Sequence, residues 1–113
     1  MAQLRFVLLS TFLLSLLMSC SKKKWPRVKY EVISNTSVDI AYTMVSGGIT
    51  YETVAGSWST SFRGRQGNEV FLSAVQSGAV GSTTIKVYFN GNLHFVETAS
   101  FPGQVITIQE TIP

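Results

Sequence analysis

The chain has 113 residues, a formal net charge of +3, 45% hydrophobic and only 13% charged residues. Such a length leaves room for one domain once a leader is removed, and too little for two. A single cysteine and a single histidine exclude an intramolecular disulfide and any site built from several soft metal ligands.

Arg5 gives a short positive start, and Phe6 to Met18 is then apolar apart from Ser10, Thr11 and Ser15. The run fits the ~7–15 residues of a signal-peptide core and falls short of the ~20 of a membrane-spanning helix. Residues 1–19 are therefore expected to be an export signal. Leu17-Met18-Ser19-Cys20 resembles the bacterial lipobox, with Leu17 as the apolar residue, Ser19 as the small one and Cys20 as the sulfur that receives diacylglycerol. Met18 is bulkier than the residue usual at its position. The resemblance implies a lipoprotein that begins at Cys20 and is held to a membrane by acyl chains such as palmitate. Two or more chains anchor stably where one does not. The plain alternative is ordinary cleavage after Ser19, which leaves a lone reactive thiol.

Residues 20–27 read as a basic tether. Lys22, Lys23, Lys24, Arg27 and Lys29 crowd the start of the mature chain. From Tyr30 onward, three cations (Arg63, Arg65, Lys86) stand against six acids, a balance of −3. Basic residues beside a lipid anchor are drawn to anionic headgroups, or act as a solvated spacer. Trp25 suits a membrane interface. With the positive charge placed on the tether and not on a domain face, nucleic-acid binding is not expected. Ser21 lacks the acidic character that retains enterobacterial lipoproteins at the inner membrane, so the outer membrane or its periplasmic face is expected.

Residues 28–113 then alternate. Val28, Tyr30 and Val32 share one face of a first strand, Asn35-Thr36-Ser37 turns, and Val38, Ile40, Tyr42 and Met44 share a second. Ser46-Gly47-Gly48 closes a hairpin onto Ile49 and Tyr51, and Ala55-Gly56-Ser57 breaks the return. Trp58, Thr60 and Phe62 form another face, followed by a polar loop over residues 63–68. Residues 69–76 are apolar on both sides, which predicts a central strand covered on both faces. After a Gly-rich loop, Ile85, Val87 and Phe89 face inward. Asn90-Gly91 is the strongest hairpin signal in the chain, although its loop length leaves the register of Leu93 and Phe95 open. Pro102-Gly103 turns once more before a last strand over residues 105–109. About seven strands at this spacing predict an all-β antiparallel sandwich, with a small barrel as the other candidate. Trp58 is the expected buried aromatic.

The succession VKYEV at Val28, VDIAYT at Val38, SWSTSF at Ser57, VFLSAVQ at Val70 and TIKVYFNGNLHF at Thr84 resembles the extracytoplasmic domain of the mycobacterial MmpS family. The resemblance spans most of the mature domain. It implies an immunoglobulin-like sandwich and a role as accessory to MmpL transporters of the resistance–nodulation–division class. The chain departs from that family in its lipobox in place of a transmembrane helix, in Ser57 where proline is usual, and in lacking a domain cysteine pair.

Residues for chemistry are sparse. His94 is alone, and Glu97, three positions on, falls on the opposite side of an extended strand. The acids are scattered, so neither a metal site nor a cofactor is expected. Gly78 to Thr83 lacks the Gly-Lys step and helix of a phosphate loop. Asn35-Thr36-Ser37 matches a glycosylation pattern but reads better as a turn. Arg63 and Arg65, flanking Gly64, are the candidate residues for an anionic partner or headgroup. The expected function is a non-enzymatic, membrane-anchored binding or accessory module. The alternative is a carrier or receptor for a small apolar or glycan ligand, using an aromatic cluster such as Tyr42, Tyr51 and Tyr88. No catalytic residue is expected, and the domain is expected to be monomeric.

Overall fold

The computed structural model describes residues 24–45, 47–78 and 80–113. The signal segment, Cys20, the first lysines of the tether and two loop residues, Ser46 and Ala79, lie outside the described residues.

Among the described residues, eight strands follow one another: β1 (Arg27–Ser34), β2 (Ser37–Thr43), β3 (Ile49–Ala55), β4 (Trp58–Arg63), β5 (Glu69–Gln76), β6 (Thr83–Phe89), β7 (Asn92–Ala99) and β8 (Val105–Thr111). They form two antiparallel sheets of four, in the orders β4-β1-β6-β7 and β3-β2-β5-β8. The expected all-β sandwich is what the chain builds, with eight strands. The barrel is excluded, since β4, β7, β3 and β8 remain edges. Only β2–β3 and β6–β7 are hairpins within a sheet. Every other connection carries the chain from one sheet to the other.

The core follows the period-two pattern. Val28, Tyr30, Val32, Ile85, Val87 and Phe89 of the first sheet meet Val38, Ile40, Tyr42, Val70, Leu72, Ala74, Ile106 and Ile108 of the second, all buried. Tyr30 is the largest side chain with no exposure at all. Its ring sits edge-on to Phe62 at 5.3 Å and to Tyr42 at 6.1 Å. Such tilted pairs suit the ring quadrupoles. Trp58, the expected central aromatic, is instead half-buried on edge strand β4 and leans on Tyr42 at 4.8 Å. An edge strand has a neighbour on one side only, so its inward residues keep an open flank.

A second difference concerns β5. Val70, Leu72, Ala74 and Gln76 are buried, but Phe71, Ser73 and Val75 are half-buried, because no further layer covers that face. Its apolar character on both sides reflects a central place in the sheet between β2 and β8.

Asn90-Gly91 forms the hairpin expected of it. Both residues have positive φ, 52° and 82°, as a two-residue turn of this hand requires. Leu93 pairs with Tyr88 and Phe95 with Val87, so His94 is the extra residue of a β-bulge. The bulge resolves the register: Leu93 faces out and Phe95 packs on the core. At the far end of the sandwich, Gln76 and Thr83 are buried polar residues that satisfy each other at 3.2 Å. Asn35 lies in the turn between β1 and β2, as expected, and its Oδ1 accepts the Ser82 N–H at 3.0 Å, tying that turn to the loop before β6. No buried side-chain polar atom lacks a partner among the described residues.

Candidate functional site

The opposite end, where the chain enters, is built differently. The Lys24 N–H donates to Gln66 Oε1 at 3.3 Å, and the Gln66 N–H returns to the Lys24 carbonyl at 2.8 Å. The Gly64 N–H donates to the Pro26 carbonyl at 3.0 Å. The entering segment is thereby pinned to the loop between β4 and β5. Gly64 is required there: a Cβ would lie 2.5 Å from Ile112 Cδ1 and 2.8 Å from Val28 Cγ2.

At this same end the second sheet forks. β2 pairs with β5 from Val38–Gln76 through Tyr42–Leu72, and there the pairing stops. β2 continues with β3 to Thr43–Ile49, and β5 continues with β8 to Glu69–Thr111. The next pair in register, Thr43 with Phe71, is not made. The Phe71 N–H donates instead to the Tyr30 hydroxyl of the facing sheet at 3.4 Å. A buried amide left without a partner costs about 1–3 kcal/mol, so the phenol makes the fork tolerable. Burial pushes the Tyr30 phenol above its ordinary value, and hydrogen bonds to the Thr43 side chain and the Phe71 amide pull it partly back.

The fork opens a half-enclosed cleft of about 440 Å³. Met44, Val45 and Ile49 line one wall, Phe71 and Gln109 the other, and Phe62 and Ile112 the floor. Most of its surface is apolar, and Arg65, Asn68 and Glu69 stand around it. Val45 and Ile49 are each more than half exposed, at 56% and 51%. The volume lies within the ~300–1,000 Å³ typical of small-molecule sites.

The two candidate arginines part company. Arg65 lies at the cleft, whereas Arg63, two residues earlier on β4, points to the outer face of the first sheet, opposite Arg27. There Arg63 Nη1 donates to the Trp25 carbonyl at 3.4 Å. That outer face corrects the expectation that positive charge belongs to the tether alone. β1, β4 and β6 bring Arg27, Lys29, Arg63 and Lys86 onto it, with Glu31 as the one acid among them. Tyr88 donates to Glu31 at 2.9 Å, which raises its phenol pKa, and Lys29 Nζ lies 5.4 Å from the Tyr88 ring centre. Among the described residues, the strands of the second sheet bring no cation to its outer face. Asp39 there accepts from Thr53 at 2.7 Å, and Tyr51 is 74% exposed.

The proposed tyrosine platform is not assembled. Tyr42 is inside, donating to Glu52 at 2.9 Å, while Tyr51 and Tyr88 lie on the outer faces of opposite sheets. His94 rests its ring edge-on against Phe89 at 4.8 Å. Among the described residues, no three of His, Cys, Asp and Glu gather as a metal site would need. No protein-family model matches the chain, and no curated protein matches it.

Proposed function

We propose that this protein is a non-enzymatic binding module, held at a membrane face in the cell envelope by a lipidated Cys20. The observation that carries the reading is the separation of charge in the sandwich. Cations gather on the outer face of the first sheet and around the entering chain, and the second sheet turns a cation-free face with Ile49, Tyr51 and Val105 exposed. A lipid-anchored domain of this kind lays its basic side toward anionic headgroups and keeps the other side for a partner. The similarity to MmpS proteins supports a narrower reading, as accessory to an export complex of the resistance–nodulation–division class, at the outer membrane or its periplasmic face. Cells producing the wild-type chain or Cys20→Ala are labelled with an alkyne fatty acid and fractionated. The wild type labels and stays with membranes, and the variant does neither. Equal labelling of the two removes the anchor. A photocrosslinker at Tyr51 captures a transporter subunit, and one at Lys86 does not. Equal capture from both positions rejects the second sheet as the partner face.

The carrier reading is favoured by one feature, the forked cleft. It supports an apolar ligand and not the glycan reading, because the three tyrosines share no surface.

A further inference from the structure

We infer that the forked cleft holds a single acyl chain whose acidic head group sits at Arg65. This names the ligand of the carrier reading and rests on it. The cleft is lined mainly by Met44, Val45, Ile49, Phe62, Phe71 and Ile112, which offer an amphiphile's tail an apolar slot. The slot opens where one strand pair is missing, and the Tyr30 hydroxyl satisfies the Phe71 amide that the missing pair leaves free.

The mouth matches an acidic head. Arg65 is exposed and makes no ion pair among the described residues, where the one such pair joins Lys29 and Glu31. Its guanidinium can grip a carboxylate or phosphate with two parallel hydrogen bonds. Glu69 also borders the cleft, but its carboxylate accepts from Gln109 Nε2 at 3.2 Å.

The tether supplies the source. Cys20 lies four residues before Lys24 in the sequence. Four residues reach at most about 14 Å when fully extended. A sandwich anchored through Cys20 therefore holds this end, and the cleft with it, beside the bilayer where acyl chains are present. The half-exposed Trp25 lies at the same end.

The full-length lipidated chain is reconstituted in vesicles of phosphatidylethanolamine and phosphatidylglycerol. The vesicles carry either a diazirine fatty acid or a diazirine phosphatidylglycerol. After irradiation, adducts are mapped by peptide mass spectrometry. Adducts from either probe should concentrate on residues 44–49 and 62–69, and spare the far-end loop around Val80. The probe that labels identifies the source as free fatty acid or phospholipid. Val45→Asp, a change at an exposed position, should lower the cleft adducts about tenfold by placing a charge against the tail, while Val80→Asp leaves them unchanged. Arg65→Gln should lower labelling by the free acid severalfold and leave its methyl ester unaffected. Adducts spread evenly over the surface, or a cleft that stays unlabelled because another segment or a second copy fills it, overturn the inference. Equal labelling by acid and ester, unchanged in Arg65→Gln, overturns the head-group assignment. Vesicle flotation of the same samples reports the anchor separately, so a failed cleft is distinguished from a failed membrane attachment.

Discussion

The Tyr30 hydroxyl, projecting from β1, accepts the Phe71 N–H of β5 at 3.4 Å, across the gap between the two sheets. It stands where Thr43 would have continued the pairing of β2 with β5. One phenolic oxygen thus ties the first sheet to the point where the second divides.

Tyr30→Phe keeps the ring and removes that oxygen. The Phe71 amide is then left without its partner, at a cost of about 1–3 kcal/mol. Urea unfolding of residues 24–113, which contain every strand and core residue, should show the midpoint falling with an unchanged slope. An unchanged midpoint would mean that water satisfies the amide.

Trp58→Ala and Tyr30→Ala should differ. Removing a large aromatic from a core costs about 3–5 kcal/mol, and a small domain has only about 5–15 kcal/mol in total. Tyr30 has no exposure, whereas Trp58 is half-buried at an edge. Tyr30→Ala should be largely unfolded, and Trp58→Ala should lose roughly half as much stability and remain folded. Thermal melts of the two variants give the order, and a reversed order would place the centre of the core at Trp58.

The strands, and the identity of most of the core, were legible in the sequence. Val28, Tyr30 and Val32, or Ile85, Val87 and Phe89, alternate cleanly because each belongs to a strand with neighbours on both sides. Trp58 misled because burial at an edge depends on which strand lies beside it. β4 pairs with β1, some thirty residues away in the chain, and not with β3 or β5. The basic face was hidden for the same reason, since Arg63 and Lys86 join Arg27 and Lys29 only through that strand order. Arg63 and Arg65 looked like a pair in the loop, but Arg63 ends β4 with its side chain on the outer face, while Arg65 lies beyond the strand at the cleft. The cleft arises from one missing backbone pairing, which side-chain patterning does not encode.

Gly64→Ala should destabilise the end at which the chain enters. Its Cβ would meet Val28 Cγ2 and Ile112 Cδ1 within 2.8 Å, and both side chains are buried. Overpacking of this kind costs about 1–3 kcal/mol. Hydrogen exchange should quicken first at the Gly64 and Gln66 amides, whose bonds hold the entering segment. A midpoint equal to wild type would show that Ile112 moves aside without penalty.

Alkaline pH should unfold the domain through its inner phenols. Burial, the largest cause for each, raises Tyr30 and Tyr42 above the ordinary value of 10.0, and Glu52 adds to the rise at Tyr42. A raised phenol keeps its proton longer when folded than when unfolded. Its contribution is therefore complete below pH 10 and is lost as pH rises through the folded value. Stability measured against pH should hold level up to about 10 and fall above it. Tyr30→Phe should make that fall shallower, and an unaltered slope would assign it to other groups.

The place of β1 sets the order in which the molecule can close. It is the first strand made, yet it lies between β4 and β6, and β2 lies between β3 and β5. β2 has both neighbours only once the chain has been supplied as far as Gln76, the last residue of β5, and β1 only at Phe89, the last residue of β6. Pairings between distant segments form late, because loop-closure entropy must be met before their contacts are gained. A chain threaded N-terminus first through a narrow translocation channel would thus stay extended over most of its length, without an early compact knot to jam the passage. The last hairpin to emerge, across Asn90-Gly91, then brings β7 onto β6, and β8 completes the facing sheet.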